Sequence, residues 1–168
     1  MKSLVSIIMG STSDLKIMEK AALILDEMEI PFDLQALSAH RTPEEVAEFA
    51  TGAKERGVKV IIAGAGMAAH LPGVIASMTS IPVIGVPINA SLDGMDALLA
   101  IVQMPPGIPV ATVGINNATN AAILAAQILS FTNENIMKKV EDYKSNLKKK
   151  ITQANEELKK VNYRFKTN

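Results

Sequence analysis

The sequence predicts an α/β fold, a parallel sheet covered by helices on both faces, and three observations carry that reading. Five short runs rich in β-branched residues recur along the chain. Helical patterns separate them, which requires βαβ crossovers and therefore parallel pairing. The first run, Leu4-Val5-Ser6-Ile7-Ile8-Met9, is nearly continuous in apolar residues rather than alternating, as expected of a strand buried on both faces.

Residues 4–9 form the first strand. Ser13 or Asp14 caps a helix that runs to about residue 29. Pro31 precedes a second, more amphipathic strand at 32–37. Thr42-Pro43-Glu44-Glu45 then opens a helix with Thr42 as cap, Pro43 at the first helical position and Glu45 completing a capping box. That helix ends near Gly57. Residues 58–63 are the third strand, followed by a small-residue loop and a helix around 73–78. A strand at 82–87, a helix at 95–103, a strand at 110–115 and an alanine-rich helix at 118–131 complete the set. No repeat, low-complexity tract or boundary interrupts residues 1–132, which are expected to form one domain.

Residues 133–168 read as a helical extension. Ile136, Val140, Tyr143, Leu147, Ile151, Ala154, Leu158 and Val161 recur at three- and four-residue spacing, one apolar stripe along a helix of about seven turns. A helix that long outruns a small domain, so its far end is expected to pack on another subunit; the alternative is a solvated helix that frays. The segment from Glu134 onward holds ten Lys/Arg against five Asp/Glu, and the preceding residues seven against twelve. Because the lysines alternate with acids and with the apolar stripe, they read as a solvated face rather than a nucleic-acid surface. No aromatic cluster offers a base-stacking platform.

The chain has no cysteine, which excludes disulfides and thiolate metal sites. Two histidines without a carboxylate cluster at ligand spacing argue against a metal. The apolar run at the start is too short for a signal peptide, and no stretch reaches membrane-spanning length. The cytoplasm is the expected compartment.

In open parallel sheets, ligands bind beyond the carboxyl ends of the strands. The five loops there read Gly10-Ser11-Thr12-Ser13-Asp14, Ser38-Ala39-His40-Arg41-Thr42, Gly64-Ala65-Gly66-Met67-Ala68-Ala69-His70, Asn89-Ala90-Ser91-Leu92-Asp93-Gly94 and Asn116-Asn117-Ala118-Thr119-Asn120. Both histidines and Arg41 fall on this one edge, which marks it as an active-site rim. The first loop enters a helix N-terminus, where free N–H groups favour an anion. Ser11 and Ser13 add hydroxyls, Asp14 suits a sugar hydroxyl, and Arg41 offers a planar fork for phosphate. Together they point to a sugar phosphate. His40 is either an acid/base, for which an imidazole pKa near about 6.5 is well placed, or a residue that bonds loop backbone. His70 either contacts ligand or shapes its glycine-rich loop. Gly64-Ala65-Gly66-Met67-Ala68-Ala69 matches the dinucleotide fingerprint in form, but it follows the third strand and no acid stands about twenty residues on, so that reading is rejected. Its small residues are expected to let backbone approach a flat ligand.

At these loops the sequence closely resembles the 5-(carboxyamino)imidazole ribonucleotide mutases. The matching blocks are Met9-Gly10-Ser11-Thr12-Ser13-Asp14, Ser38-Ala39-His40-Arg41-Thr42-Pro43, residues 62–73 with Ala69-His70-Leu71-Pro72-Gly73, and residues 91–108 with Ile101-Val102-Gln103-Met104-Pro105. The likeness runs in order from about residue 4 to Leu129. It implies a three-layer α/β/α, flavodoxin-like subunit, with residues 1–132 catalytic and 133–168 packing on another subunit. It also implies a homo-octamer with active sites at subunit junctions, a small-molecule ribonucleotide substrate, and no cofactor, metal, nucleic acid or membrane. Carried over, Ser11, Asp14 and Arg41 would bind the ribose phosphate and His40 would be the acid/base. Ser13, Ser38, Gly66, Ala69, His70 and Leu71 would line the pocket around the imidazole. Met67 stands where the family usually has glycine, and residues 89–92 are one residue shorter than is common. A related branch that carboxylates the free aminoimidazole usually has lysine at the position of Arg41 and lacks the Ala-Ala-His-Leu-Pro-Gly run. An alternative from another class, a flavodoxin-like module binding nucleotide phosphate at the first loop, would leave His40 unused.

Overall fold

The structure is a computed structural model that describes residues 2–168. In chain order the elements are β1 (Val5–Met9), α1 (Leu15–Glu27), β2 (Phe32–Ala36), α2 (Pro43–Arg56), β3 (Val60–Gly66), α3 (Leu71–Met78), β4 (Val83–Ile88), α4 (Met95–Val102), β5 (Ala111–Thr112), α5 (Ala118–Ser130) and α6 (Glu134–Lys159). The five strands are parallel in the order β2-β1-β3-β4-β5. The chain leaves β1 toward one edge and returns to its other side, so the strand order reverses between β1 and β3. A crevice opens beyond the strand ends at such a point.

The continuous apolar runs are explained by two cores, one on each face. Ile7, Ile62 and Ile84 point toward α1 and α5, while Ile8, Ile61 and Val83 point toward α2, α3 and α4. Alternate residues of one strand thus serve opposite layers, and neither set meets water. Burying each of these side chains contributes about 1.5–3 kcal/mol. The result is the expected three-layer α/β/α arrangement. Ser6, fully buried inside β1, donates its hydroxyl to Asp33 Oδ2 on β2 at 2.9 Å.

The fifth strand is shorter than the pattern at 110–115 predicts, and Pro87 supplies the reason. Val113 N–H still bonds Gly85 C=O at 3.1 Å, and Asn116 N–H bonds Pro87 C=O at 2.8 Å. Between them Pro87 has no N–H to offer, so the ladder is interrupted.

The base of α6 is fixed and its end is not covered. Ile136 and Val140 join the core beside α5, with Tyr143 at its edge. Lys139 Nζ bonds Met28 C=O at 2.9 Å and pairs with Glu29, tying α6 to the end of α1. Farther along the stripe Ile151 is 67% exposed, and Leu147 and Leu158 are exposed too. No helix of the described residues is long and apolar enough to cross a membrane.

Candidate active site

Three loops at the carboxyl ends of β1, β2 and β3 build one site. After β1 the chain passes Gly10 into a single 3-10 turn, Thr12–Asp14, that continues as α1. Ser11, in extended backbone, caps this turn: its Oγ accepts the Ser13 N–H at 3.3 Å. Asp14 stands at the N-cap position of α1, as expected, but its side chain makes no capping bond. Its carboxylate instead accepts from the Ser13 hydroxyl at 3.4 Å and lines a cavity.

Burial is the largest influence on Asp14 and raises its pKa above the ordinary carboxylate value; bonds from Ser13 and the Ser11 backbone, and the nearby Arg41 charge, pull the other way. A group whose folded pKa is raised favours folding most below its unfolded pKa, and that contribution is lost as pH rises through the folded value. Ionised Asp14 therefore opposes folding at neutral pH. Asp14→Asn is expected to raise the melting temperature at neutral pH while weakening ligand binding. The gain should vanish below the ordinary carboxylate range, as thermal melts across pH will test.

The loop after β2 is clamped on itself. Thr42 N–H bonds Ser38 C=O at 2.9 Å, while the Thr42 hydroxyl accepts the Ser38 N–H at 2.9 Å and donates to Ser38 C=O at 3.2 Å. That hydroxyl is spent on the loop, so it does not cap α2, and the expected capping box does not form. Pro43 does stand in the first turn of α2. The clamp presents Ser38 Oγ to Arg41, which donates both its N–H and its Nε–H there at 3.3 Å. Arg41 Nη2 also donates to Gly10 C=O at 2.7 Å, bracing the first loop against the second. A guanidinium carries five N–H donors, so the exposed fork keeps donors for an anion.

The third loop carries His70 to His40. Their rings meet edge to face, with centroids 5.0 Å apart at 80° and His40 Nε2 2.8 Å from His70 Nδ1. One proton serves such a contact: one ring donates, the other accepts, and two imidazolium rings cannot form it. Among the described residues no three His, Asp, Glu or Cys side chains gather as a metal group.

These residues surround a cavity of about 690 Å³, within the range of small-molecule sites. Ser11, Ser13, Asp14, Ser38, His40 and Arg41 line it from the first two loops, and Gly66, His70 and Leu71 from the third. Ala69 does not line it; its side chain is buried in the core beside α3. Sequence reasoning gave no role to Gly10, Ala39 or Ala90, which also line the cavity. Only their membership of the same loops could have signalled them. Of the fourth loop Ala90 alone reaches the cavity, and the fifth loop is structural: Asn116 Oδ1 accepts the Asn89 N–H at 2.9 Å, and Asn117 caps α5.

The small residues of the third loop answer to the protein's own packing. A Cβ on Gly64 would lie 2.4 Å from Met18 Sδ, and one on Gly66 would lie 3.0 Å from the Ala90 side chain and 3.1 Å from Ile88 O. A side chain at Gly64 would have to displace the buried Met18 side chain, and one at Gly66 would crowd the neighbouring strand, so packing within the chain favours small residues there. Met67 adopts φ 53°, a left-handed backbone that costs an L residue about 1–2 kcal/mol.

Known proteins are similar to this chain in sequence and fold. The family described as AIR carboxylase matches residues 4–150. The N5-carboxyaminoimidazole ribonucleotide mutase of Thermotoga maritima is 53% identical over 161 residues, covering 95% of this chain and 94% of the relative. The protein of the same name from Methanocaldococcus jannaschii is 56% identical over 158 residues, covering 94% and 99%. A crystal structure of Treponema denticola PurE2-S38D superposes with a TM-score of 0.87 at 31% identity, covering 95% of this chain and all of that one. With a match that spans the whole sheet and every loop of the cavity, the chain belongs to the AIR carboxylase family.

Proposed function

We propose that this chain is an isomerase of purine biosynthesis, on the route to IMP. It converts 5-(carboxyamino)imidazole ribonucleotide to 5-amino-1-(5-phosphoribosyl)imidazole-4-carboxylate by moving a carboxyl group from nitrogen to carbon. The observation that carries the reading is the 2.8 Å pairing of His40 with His70 in the cavity that also holds Arg41, Ser11 and Asp14. The near full-length likeness to proteins named as this mutase supports it.

In this reading Arg41, Ser11 and Asp14 bind the ribose phosphate, and Ser13, Ser38, Gly66, His70 and Leu71 surround the imidazole. Protonated His40 delivers a proton to the carboxylated nitrogen as its bond to carbon breaks. The electron pair stays on nitrogen and carbon dioxide departs into the cavity. The ring carbon then attacks carbon dioxide, and the proton it carried passes to His40, which regains its starting state. No net proton or electron is consumed. The 2.8 Å contact with His70 fixes the orientation of the His40 ring. Excluding water keeps the gas against the ring.

The reaction is tested by supplying the purified protein with the N-carboxylated ribonucleotide, without bicarbonate or ATP, and in parallel with the free aminoimidazole ribonucleotide plus bicarbonate. Rapid conversion of the first and slow conversion of the second is expected. The reverse ranking would make the protein a direct carboxylase.

The assembly belongs to the same proposal: residues 1–132 form the catalytic domain, and residues 133–168 pack on other copies in a homo-octamer. The exposed half of the α6 stripe, Leu147 through Leu158, supports this, since apolar surface of that extent seeks cover. Light scattering is expected to give eight times the chain mass, and a monodisperse monomer at micromolar concentration would refute it. Truncation at Ser145 should weaken assembly more than it lowers the melting temperature of the subunit.

A further inference from the structure

Met67 holds a costly conformation with no repayment inside its own chain. Its φ of 53° is left-handed, where any L side chain is strained. The turn it makes is useful: Ala69 N–H bonds Met67 C=O and His70 N–H bonds Ala68 C=O, both at 2.8 Å, and the loop delivers His70 to His40. Glycine would make the same turn without strain. The side chain is 60% exposed, so packing within the chain does not account for it. What it does is line the cavity. Along that arc, Ala65, Gly66 and Ala68 end at or before Cβ and Leu71 is buried, so Met67 is the long apolar group that stands free there.

We propose that Met67 is a positioning residue for the carboxyl transfer. Its thioether packs over the bound heteroaromatic ring and shuts water out, so that released carbon dioxide meets the ring carbon before it escapes. A flexible, polarisable thioether suits a flat ring, and such contacts contribute enough to alter affinity about two- to tenfold. The inference rests on the mutase reading above.

The test uses the full-length protein with Met67→Ala, Met67→Gly and Met67→Leu, supplied with the N-carboxylated ribonucleotide. Two products are counted after subtracting the enzyme-free rate: the carbon-carboxylated ribonucleotide and the decarboxylated aminoimidazole ribonucleotide. In Met67→Ala, KM should rise about two- to tenfold, and the decarboxylated share should rise above that of the wild type. Met67→Leu should restore the wild-type ratio. Met67→Gly should leak as Met67→Ala does while melting no lower than wild type, because its backbone strain is gone. A wild-type product ratio in the alanine variant overturns the proposal, whatever happens to KM. Failure of the wild-type protein to convert the substrate at all would instead remove the mutase reading, and this inference with it.

Discussion

His40→Asn is expected to lower kcat by about 10²–10⁴, the usual contribution of general acid–base catalysis, while leaving fold, assembly and substrate binding in place. Both half-reactions move a proton, and the two cavity histidines, His40 and His70, are of the side-chain type suited to that task near neutral pH; the proton-transfer role is assigned to His40. Asp14 is drawn into the wall of the site with its pKa raised only against the pull of Ser13 and Arg41, and it is assigned to the sugar. The histidine is exposed at a loop, bonded only to His70, so asparagine fits without disturbing a core. His70→Asn should cost less, since asparagine can still accept a bond from His40. Retention of more than about a tenth of wild-type kcat in His40→Asn would put it below the expected range and end the assignment. A dead His70→Asn beside an active His40→Asn would exchange the two roles.

The second large effect belongs to Arg41→Lys, which should raise KM about ten- to a hundredfold with a smaller change in kcat. Loss of one charge-assisted bond is worth about 1.5–3 kcal/mol, and a lysine cannot reproduce a planar fork. The geometry adds a second cost. Arg41 braces Gly10 and Ser38 at the same time, at 2.7 Å and 3.3 Å, so the substitution also loosens the first two loops of the cavity from one another. Steady-state kinetics on the N-carboxylated ribonucleotide measures it, and an unchanged KM would mean that the phosphate sits elsewhere.

The layered fold was legible because period and length carry it: apolar runs buried on both faces, separated by helices, admit few arrangements. What the sequence misstated were local choices between competing bonds. Thr42 reads as a helix cap, but its hydroxyl closes the Ser38–Thr42 loop instead. Asp14 holds the N-cap position of α1 as read, but the capping bond is made by Ser11 on the 3-10 turn before it. Residues 110–115 read as a full strand because periodicity sees Val110 to Ile115, whereas the missing N–H lies on the neighbouring strand at Pro87.

The rim was legible for a different reason. Ligand-facing loops follow strand ends, so Ser11, Asp14, Ser38, His40, Arg41 and His70 could be gathered on one edge before any contact was known, and they do line one cavity. The direct His40–His70 bond could not be foreseen, because a spacing of thirty residues says nothing of ring orientation. Nor could the crowding of Gly64 by Met18 and of Gly66 by Ala90. Asn116 and Asn117 were placed on the rim by the same strand-end rule, yet their side chains serve the backbone of neighbouring segments.

In the proposed reaction one carboxyl group moves from nitrogen to carbon without leaving the site. Single-turnover conversion of substrate carrying carbon-13 only in its N-carboxyl group, in a large excess of unlabelled bicarbonate, follows that group. The new carboxylate on the ring carbon is expected to retain the label. A product carrying mainly unlabelled carbon would show that carbon dioxide is taken from solution, and would contradict the proposed reaction.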